Sequence, residues 1–278
     1  MDKIIDGKVL QKEIKEKLVA EVNGIDERLK LVVIQVGNNE ASNIYVRNKG
    51  KLCKEVGIDF CHQKYDDITE SDLIKEIEKL NDDKTVTGIL VQLPLPSTIN
   101  EKNVIEKIAY YKDVDGLTSK NIGNLFAGNE AIAPCTALGV MEILKSKNVS
   151  IEGENAVIVG RSKLVGLPLI ALLLRENATV TTCHSKTQNL KEITKEADIL
   201  VVAIGKKEYI DKSYIKDGAV VIDVGINRED GKLYGDCNKN IEEKVKYMTP
   251  VPGGVGPLTV IMLINNIIKA HKLQKKLK

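Results

Sequence analysis

Short apolar runs alternate with amphipathic helical stretches along the whole chain, and this alternation constrains the fold more than any other feature. The helical stretches put apolar residues on one face, as Leu73, Ile77 and Leu80 show. The apolar runs have the length of buried strands; they are LKLVVIQVG, TGILVQLPLP, NAVIVG, ATVTTCH, ADILVVAIG and GAVVIDVG. Buried strands separated by helices are typical of a mainly parallel sheet, so the pattern predicts an α/β fold.

The chain is long enough, at 278 residues, for two domains. The two sets of strands separate near residues 134–139. We therefore predict a first domain of residues 1–135 and a second α/β domain of residues 136–257. Residues 258–278 form a helix too apolar to stand alone, and we expect it to return to the first domain. A cleft between two such domains is a usual place for a ligand.

Composition excludes several classes of partner and site. A net charge of +2, no tryptophan and 4% aromatic residues argue against a nucleic-acid partner. The basic end AHKLQKKLK fits a solvated helix end better than a nucleic-acid tail. Five scattered cysteines and three isolated histidines form no disulfide framework and no metal site. Without a signal peptide or an apolar run of ~18 residues, the chain is predicted to be soluble and cytoplasmic, with no membrane partner.

The segment VIVGRSKLVG is similar to the strand-to-helix turn of a dinucleotide site, although most of the usual glycines are missing. Gly160 occupies the first position of a GxGxxG pattern, Ser162 the third and Val165 the sixth, and Gly166 follows one residue late. Helix N-terminal amides favour an anion, Ser162 offers a hydroxyl, and Gly166 allows close packing. We predict that Gly160, Ser162 and Gly166 bind a nucleotide; a plain glycine turn is the alternative.

The end of the next strand indicates which nucleotide. Sites for NAD place a carboxylate there to accept hydrogen bonds from the ribose hydroxyls, but this chain reads TTCHSKT. Arg161, Ser185 and Lys186 instead supply donors and positive charge suited to a 2′-phosphate. The predicted cofactor is NADP, held by a Rossmann-like domain. His184 either joins that pocket or simply ends the strand.

A second group of polar residues lies in the first half of the chain. Tyr45 and Lys49, four residues apart, share one helical face. A YxxxK pair occurs in short-chain dehydrogenases, but there it follows the glycine turn, whereas here it precedes it. Gln92 interrupts the apolar strand VQLPLP, and Asp113 and Asp115 stand on the turn KDVDGLT. Strand ends in α/β sheets bring such side chains to one edge.

Together these segments resemble the bifunctional methylenetetrahydrofolate dehydrogenase/methenyltetrahydrofolate cyclohydrolase (FolD) family from end to end. The segments that carry the resemblance are ASNIYVRNK, GILVQLPLP, KDVDGLT, PCTALG, GRSKLVGLP, TVTTCHSKT, ADILVVAIGK and TPVPGGVGPLT. The chain departs from the family at Ala137, where a proline usually follows PCT; this change touches no expected catalytic group.

The resemblance implies an activity and a set of roles. NADP-dependent oxidation of 5,10-methylenetetrahydrofolate gives the methenyl cation, and its hydrolysis gives 10-formyltetrahydrofolate. Lys49 is implied to be essential for hydrolysis, Gln92 to tune that lysine, and Tyr45 to stack near the pterin. Further substrate contacts are implied for Asp115, Pro252, Gly253 and Gly254, and a cofactor contact for Ile226; Asp113 either takes part or only shapes its turn.

The resemblance also implies a homodimer that serves one-carbon metabolism and purine biosynthesis. Three other functions are weighed against it. A monofunctional NADP dehydrogenase is disfavoured by the intact Tyr45, Lys49 and Gln92. A dehydrogenase of small oxo or hydroxy acids needs an arginine clamp and a catalytic histidine, for which the chain offers no context. A non-catalytic nucleotide-binding regulator would keep GRSKLVG but lack the group of polar residues in the first half of the chain, and that group is present here.

Overall fold

The computed structural model describes residues 3–277, so the first two residues and the last of the predicted domain ranges lie outside the described residues. Two compact units are present. The N-terminal unit comprises Glu13–Pro134 and the chain from Val260 onward. The central unit comprises Cys135–Thr259 and the described residues up to Lys12. Within the described chain, no helix is both long enough and apolar enough to cross a membrane.

The N-terminal unit is built on a parallel sheet with strand order β2-β1-β3. Its strands are β1 Lys30–Val36, β2 Asp59–Tyr65 and β3 Gly88–Val91; its helices are α2 Glu40–Glu55, α3 Glu70–Asp82, α4 Glu101–Ile105 and α5 Ser119–Phe126, with parts of α1 Gly7–Asn23 and α9 Val255–Lys276. The apolar faces of β1 and β3 form the core with α3. Asn39 and Thr69 cap α2 and α3 by accepting backbone N–H groups.

Two details of this unit differ from the sequence prediction. Gln92, predicted inside a strand, follows the last residue of β3; its N–H still donates to the Ile34 carbonyl at 2.8 Å. The strand cannot continue because Pro94 and Pro96 have no N–H to donate. Strand β2 was not predicted, since it is an edge strand with the mixed sequence DFCHQKY.

The central unit contains a five-stranded parallel sheet with strand order β10-β7-β6-β4-β5. Its strands are β4 Asn155–Val159, β5 Thr179–Cys183, β6 Ile199–Val202, β7 Val220–Asp223 and β10 Tyr247–Met248; its helices are α6 Cys135–Ser146, α7 Gly166–Arg175 and α8 Leu190–Thr194, with parts of α1 and α9. A hairpin of β8 Asn227–Glu229 and β9 Lys232–Tyr234 was not predicted, although Asp230–Gly231 is a recognised hairpin signal.

The two ends of the chain are held by specific contacts inside their units. Near the N-terminus, the Ile5 N–H donates to the Met248 carbonyl and the Gly7 N–H to the Gly253 carbonyl, each at 2.8 Å. The described residues before Glu13 are grouped with the central unit, in line with these bonds. In α9, the buried Asn266 side chain donates to the Val114 carbonyl at 2.9 Å, within the N-terminal unit.

Candidate functional site

Lys49 and Gln92 are in direct contact. Helix α2 presents Lys49, and its ammonium donates a hydrogen bond of 2.9 Å to Gln92 Oε1. The other end of the Gln92 amide is also fixed, because Nε2 donates to the Leu93 carbonyl at 2.7 Å. With its nitrogen committed to that carbonyl, the amide must turn its oxygen towards the lysine. The site thus holds one half-buried amine in a defined position.

Tyr45 lies one turn before Lys49 on α2, and its side chain is 51% exposed. An exposed aromatic ring beside a half-buried amine offers a flat surface on which a planar ring can stack. On the next turn, Cys53 is fully buried, and this burial raises the pKa of its thiol to about 12, while the charge of Lys49 acts in the opposite direction. Cys53 therefore stays a thiol and packs as a small apolar residue.

The two aspartates of KDVDGLT have different environments. Asp113 is 1% exposed and accepts hydrogen bonds from the Thr118 N–H at 2.8 Å and from the Asn121 side chain at 3.0 Å. It thereby shapes the turn. The segment pairs in parallel with β3, with Asp113 opposite Ile89. The half-buried Asp115, two residues further on, therefore lies towards the carboxyl end of β3, where Gln92 follows the strand. The structure thus brings Lys49, Gln92 and Asp115 to one edge of the N-terminal sheet.

The turn after β4 is built for close approach. Gly160 has a φ of +130°, and a Cβ added there would lie 3.0 Å from the Ala203 carbonyl carbon. A Cβ on Gly166 would lie 2.7 Å from the Arg161 Cα. Both positions therefore require glycine. The Ser162 hydroxyl accepts the Val165 N–H at 3.2 Å, so in this structure it closes the turn.

Helix α7 begins directly after this turn, and within the described chain the side chain of its N-cap residue, Val165, makes no capping hydrogen bond. A helix N-terminus carries a partial positive charge that favours an anion. Arg161 and Ser162 are exposed beside it. These features fit the diphosphate of a dinucleotide.

The HSKT turn after β5 is closed by its own hydrogen bonds. The His184 N–H donates to the Thr187 hydroxyl at 2.8 Å, and the Lys186 N–H donates to His184 Nδ1 at 3.2 Å. His184 thus ends the strand and shapes the turn, while Ser185 and Lys186 remain exposed. No carboxylate occurs in this turn, and its two exposed residues suit a 2′-phosphate.

The remaining predicted residues also follow strands of the central sheet. Ile226 lies just beyond β7 and is 56% exposed. Pro252, Gly253 and Gly254 lie between β10 and α9. Since all five strands are parallel, the segments after β4, β5, β7 and β10 share the carboxyl edge of one sheet. In α/β sheets this edge is where ligands bind.

Two family models match the chain. The catalytic domain of tetrahydrofolate dehydrogenase/cyclohydrolase matches residues 5–115. The NAD(P)-binding domain of the same enzymes matches residues 134–275. The chain belongs to this family.

Relatives in the tetrahydrofolate dehydrogenase/cyclohydrolase family match the chain over nearly its full length. The bifunctional protein FolD of Agathobacter rectalis is 49% identical over 278 residues, spanning 98% of this chain and 100% of that protein. The crystal structure of the bifunctional FolD enzyme of Campylobacter jejuni is 44% identical, with a TM-score of 0.92 and coverage of 97% of this chain and 98% of that chain. The Trypanosoma brucei dehydrogenase-cyclohydrolase, crystallised with NADP cofactor and inhibitor, is 36% identical, with a TM-score of 0.91 and 98% coverage of both chains.

Membership of this family confirms several predictions made from the sequence. The protein has a two-domain α/β fold with parallel sheets. It is an enzyme with both activities, methylenetetrahydrofolate dehydrogenase and methenyltetrahydrofolate cyclohydrolase, and its cofactor is NADP.

Two buried carboxylates of the NAD(P)-binding domain were not predicted from the sequence. Asp223 ends β7 and Asp236 follows the hairpin; they are 3% and 0% exposed. Both accept several backbone N–H groups, as in the bond of 2.8 Å from the Cys237 N–H to Asp223. Burial raises the pKa of Asp223 to about 6, although hydrogen bonds from the Cys237 and Asp236 N–H groups act against it. Asp223 lies in the segment DVG and Asp236 in the segment GDC, and neither segment forms a motif that could have identified the carboxylate.

The raised pKa of Asp223 predicts a pH-dependent stability. Its pKa is about 6 in the folded protein against 3.8 for an ordinary aspartate side chain, so folding takes up a proton between these values. The contribution of Asp223 to stability is complete below about pH 4 and is lost as the pH rises through 6. Asp223→Asn cannot ionise. Chemical unfolding is measured for both proteins at about pH 4.5 and about pH 7.5. Between these pH values, the free energy of unfolding of Asp223→Asn should rise by about 2 kcal/mol relative to that of wild type. A difference between the two proteins that does not change with pH contradicts the assignment.

Proposed function

We propose that Lys49 moves the protons of the cyclohydrolase reaction and that Gln92 holds it in position. The contact of 2.9 Å between Lys49 Nζ and Gln92 Oε1 carries this proposal. Water that adds to the methenyl carbon must lose a proton, and the ring nitrogen that leaves the carbon must gain one. A single amine beside the reacting carbon can accept the first proton and return it to the nitrogen.

Substrate recognition is assigned to the residues around this amine. The exposed ring of Tyr45 provides a stacking surface for the planar part of the folate. The Asp115 carboxylate offers two acceptor oxygens to adjacent N–H donors on the pterin edge, which makes a bidentate pairing. We assign further substrate contacts to the backbone of Pro252, Gly253 and Gly254.

Cofactor binding is assigned to the carboxyl edge of the central sheet. The turn at Gly160, Ser162 and Gly166 and the amide end of α7 suit the diphosphate. Arg161 and Ser185 suit the 2′-phosphate, and Ile226 offers apolar contact. NADP held there would supply the acceptor for the hydride of the substrate methylene, and the part of this chain's own residues is to align the two reactants.

A direct test separates hydrolysis from oxidation. Purified protein is given methenyltetrahydrofolate without NADP, and formation of 10-formyltetrahydrofolate is followed. We expect hydrolysis far above the rate in buffer. Hydrolysis that required NADP, or that only matched the buffer rate, would contradict proton transfer by a Lys49 held in position by Gln92.

Replacing Arg161 tests the preference for NADP. Arg161→Ala removes a positive charge that NADP needs for its 2′-phosphate and that NAD does not use. Steady-state kinetics should show KM for NADP rising about tenfold or more, with little change for NAD. Arg175→Ala, at the far end of α7, is the matched control and should leave both values unchanged. Equal losses with the two cofactors, or equal use of both by the wild type, would contradict the assignment.

We further propose that residues 1–135 and 258–278 form the folate-binding domain and residues 136–257 the NADP-binding domain. We also propose that the protein is a cytoplasmic homodimer and that it supplies one-carbon units for purine biosynthesis. Light scattering at several protein concentrations tests the dimer. A monomeric mass for fully active enzyme would remove it from the proposal.

A further inference from the structure

Asp236 holds three consecutive backbone amides. Its carboxylate accepts the N–H groups of Ile204 at 2.7 Å, Gly205 at 3.0 Å and Lys206 at 2.8 Å. The side chain is completely buried. Charged acceptors form stronger hydrogen bonds with backbone N–H groups than neutral ones do. The segment after β6 is therefore fixed by one carboxylate from a distant part of the chain.

The segment that Asp236 holds forms one side of the glycine turn. Ala203 comes directly before Ile204, and a Cβ on Gly160 would lie 3.0 Å from the Ala203 carbonyl carbon. The turn at Gly160 thus has little freedom to move unless the segment after β6 moves as well. Strands β4 and β6 are neighbours in the sheet, with Val159 opposite Val202.

The same carboxylate also reaches the segment after β7. Asn227 donates to Asp236 Oδ1 at 2.9 Å, and Asn227 follows Ile226 directly. The two oxygens of Asp236 are thus divided, with Oδ2 serving Ile204 and Gly205 and Oδ1 serving Lys206 and Asn227.

Asp236 is itself anchored to the sheet. Its N–H donates to Asp223 Oδ1 at 3.0 Å, and Asp223 is the last residue of β7. The Cys237 N–H donates to the other oxygen of Asp223 at 2.8 Å. Two buried carboxylates in series therefore connect the segment after the hairpin to β7, and through Asp236 to the segment after β6.

We infer that Asp236 is a positioning residue for NADP: it fixes the segments after β6 and β7 against the Gly160 turn and so keeps the cofactor-binding edge preorganised. The inference rests on the proposed cofactor contacts at Gly160 and Ile226. Asp236 is fully buried and acts through the backbone that it holds. A preorganised edge lowers the ordering cost of binding, so the residue should influence cofactor affinity more than folate chemistry.

Asp236→Asn tests this inference, since an amide keeps the shape but places a donor against backbone donors. Three measurements are compared with wild type: amide hydrogen exchange of residues 204–206 without ligand, NADP affinity by calorimetry, and hydrolysis of methenyltetrahydrofolate without NADP. We expect faster exchange, a Kd for NADP raised about tenfold or more, and hydrolysis at the wild-type rate.

Asp198→Asn is the matched control. Asp198 also accepts a backbone N–H, from Asn155 at 3.0 Å, but at the start of β4, the opposite end of that strand from Gly160. If Asp198→Asn loses stability as Asp236→Asn does but binds NADP with unchanged affinity, the weaker NADP binding of Asp236→Asn is due to positioning and not to general destabilisation. Equal weakening of NADP binding in both variants overturns the inference.

The outcomes separate this inference from the proposed function. If Asp236→Asn binds NADP as wild type does, the positioning role is wrong and the proposed function stands. If wild type itself neither binds NADP nor hydrolyses the methenyl substrate, the proposed function fails first. Should Asp236→Asn not fold, Asn227→Ala decides: weaker NADP binding with intact hydrolysis supports the role, and unchanged binding overturns it.

Discussion

Replacing Lys49 with methionine is expected to remove the cyclohydrolase activity almost completely while the dehydrogenase activity remains measurable. Hydrolysis needs proton transfers at the attacking water and at the leaving nitrogen, and a positioned acid–base group contributes about 100-fold or more to such steps. Hydride transfer needs alignment and no proton relay. The variant should therefore oxidise methylenetetrahydrofolate and release methenyltetrahydrofolate, which is detected by its absorbance.

Two further variants make the Lys49 experiment specific. Lys51→Met changes an exposed lysine of the same helix, 77% exposed and 4.0 Å from Glu55, and should leave both activities unchanged. Gln92→Leu removes the acceptor for Lys49 Nζ and should lower hydrolysis more than oxidation. A thermal melt establishes that each variant is folded. Hydrolysis near the wild-type rate in Lys49→Met shows that another group moves the protons.

Replacing Asp115 with alanine is expected to impair both activities together. The carboxylate is assigned to paired N–H donors of the pterin, and its loss leaves those donors without acceptors when the substrate is bound. Loss of a charged, desolvated contact costs about 2–3 kcal/mol, which corresponds to roughly 30- to 150-fold in kcat/KM. Kinetics with methylenetetrahydrofolate and with methenyltetrahydrofolate should show similar losses.

The controls for Asp115 concern the cofactor and the surface. NADP affinity, measured by calorimetry, should be unchanged in Asp115→Ala. Asp67→Ala removes an exposed carboxylate of the same unit and should leave all rates unchanged. Normal folate affinity in Asp115→Ala reassigns this carboxylate to shaping its turn, the role that the buried Asp113 already has.

Much of the fold follows from the sequence because buried parallel strands are apolar throughout. The strands β1, β3, β4, β6 and β7 all coincide with predicted runs. The edge strand β2 lacks that signal, since its side chains alternate between partly buried and exposed positions. The hairpin β8–β9 was missed because it is short and polar. The sequence also does not show that the Ile5 N–H donates to the Met248 carbonyl, because the two residues are far apart along the chain.

The candidate site was predictable to the extent that chemistry is local in the sequence. Tyr45 and Lys49 share a helical face, and the missing carboxylate after β5 can be read directly. The bond between Lys49 and Gln92 joins residues 43 positions apart, so only the register of α2 and β3 in the folded protein brings them together. Asp236 had no sequence signal, because a carboxylate that accepts backbone N–H groups needs no particular neighbours along the chain.

The most direct test of the role of Lys49 follows the products of both activities in one reaction. Purified protein is mixed with 5,10-methylenetetrahydrofolate and NADP, the reaction is quenched at intervals, and NADPH, methenyltetrahydrofolate and 10-formyltetrahydrofolate are quantified by chromatography. We expect wild type to form NADPH and 10-formyltetrahydrofolate in step, whereas Lys49→Met should form NADPH together with methenyltetrahydrofolate. Identical product distributions for the two proteins would contradict the proposal that Lys49 is needed for hydrolysis and not for oxidation.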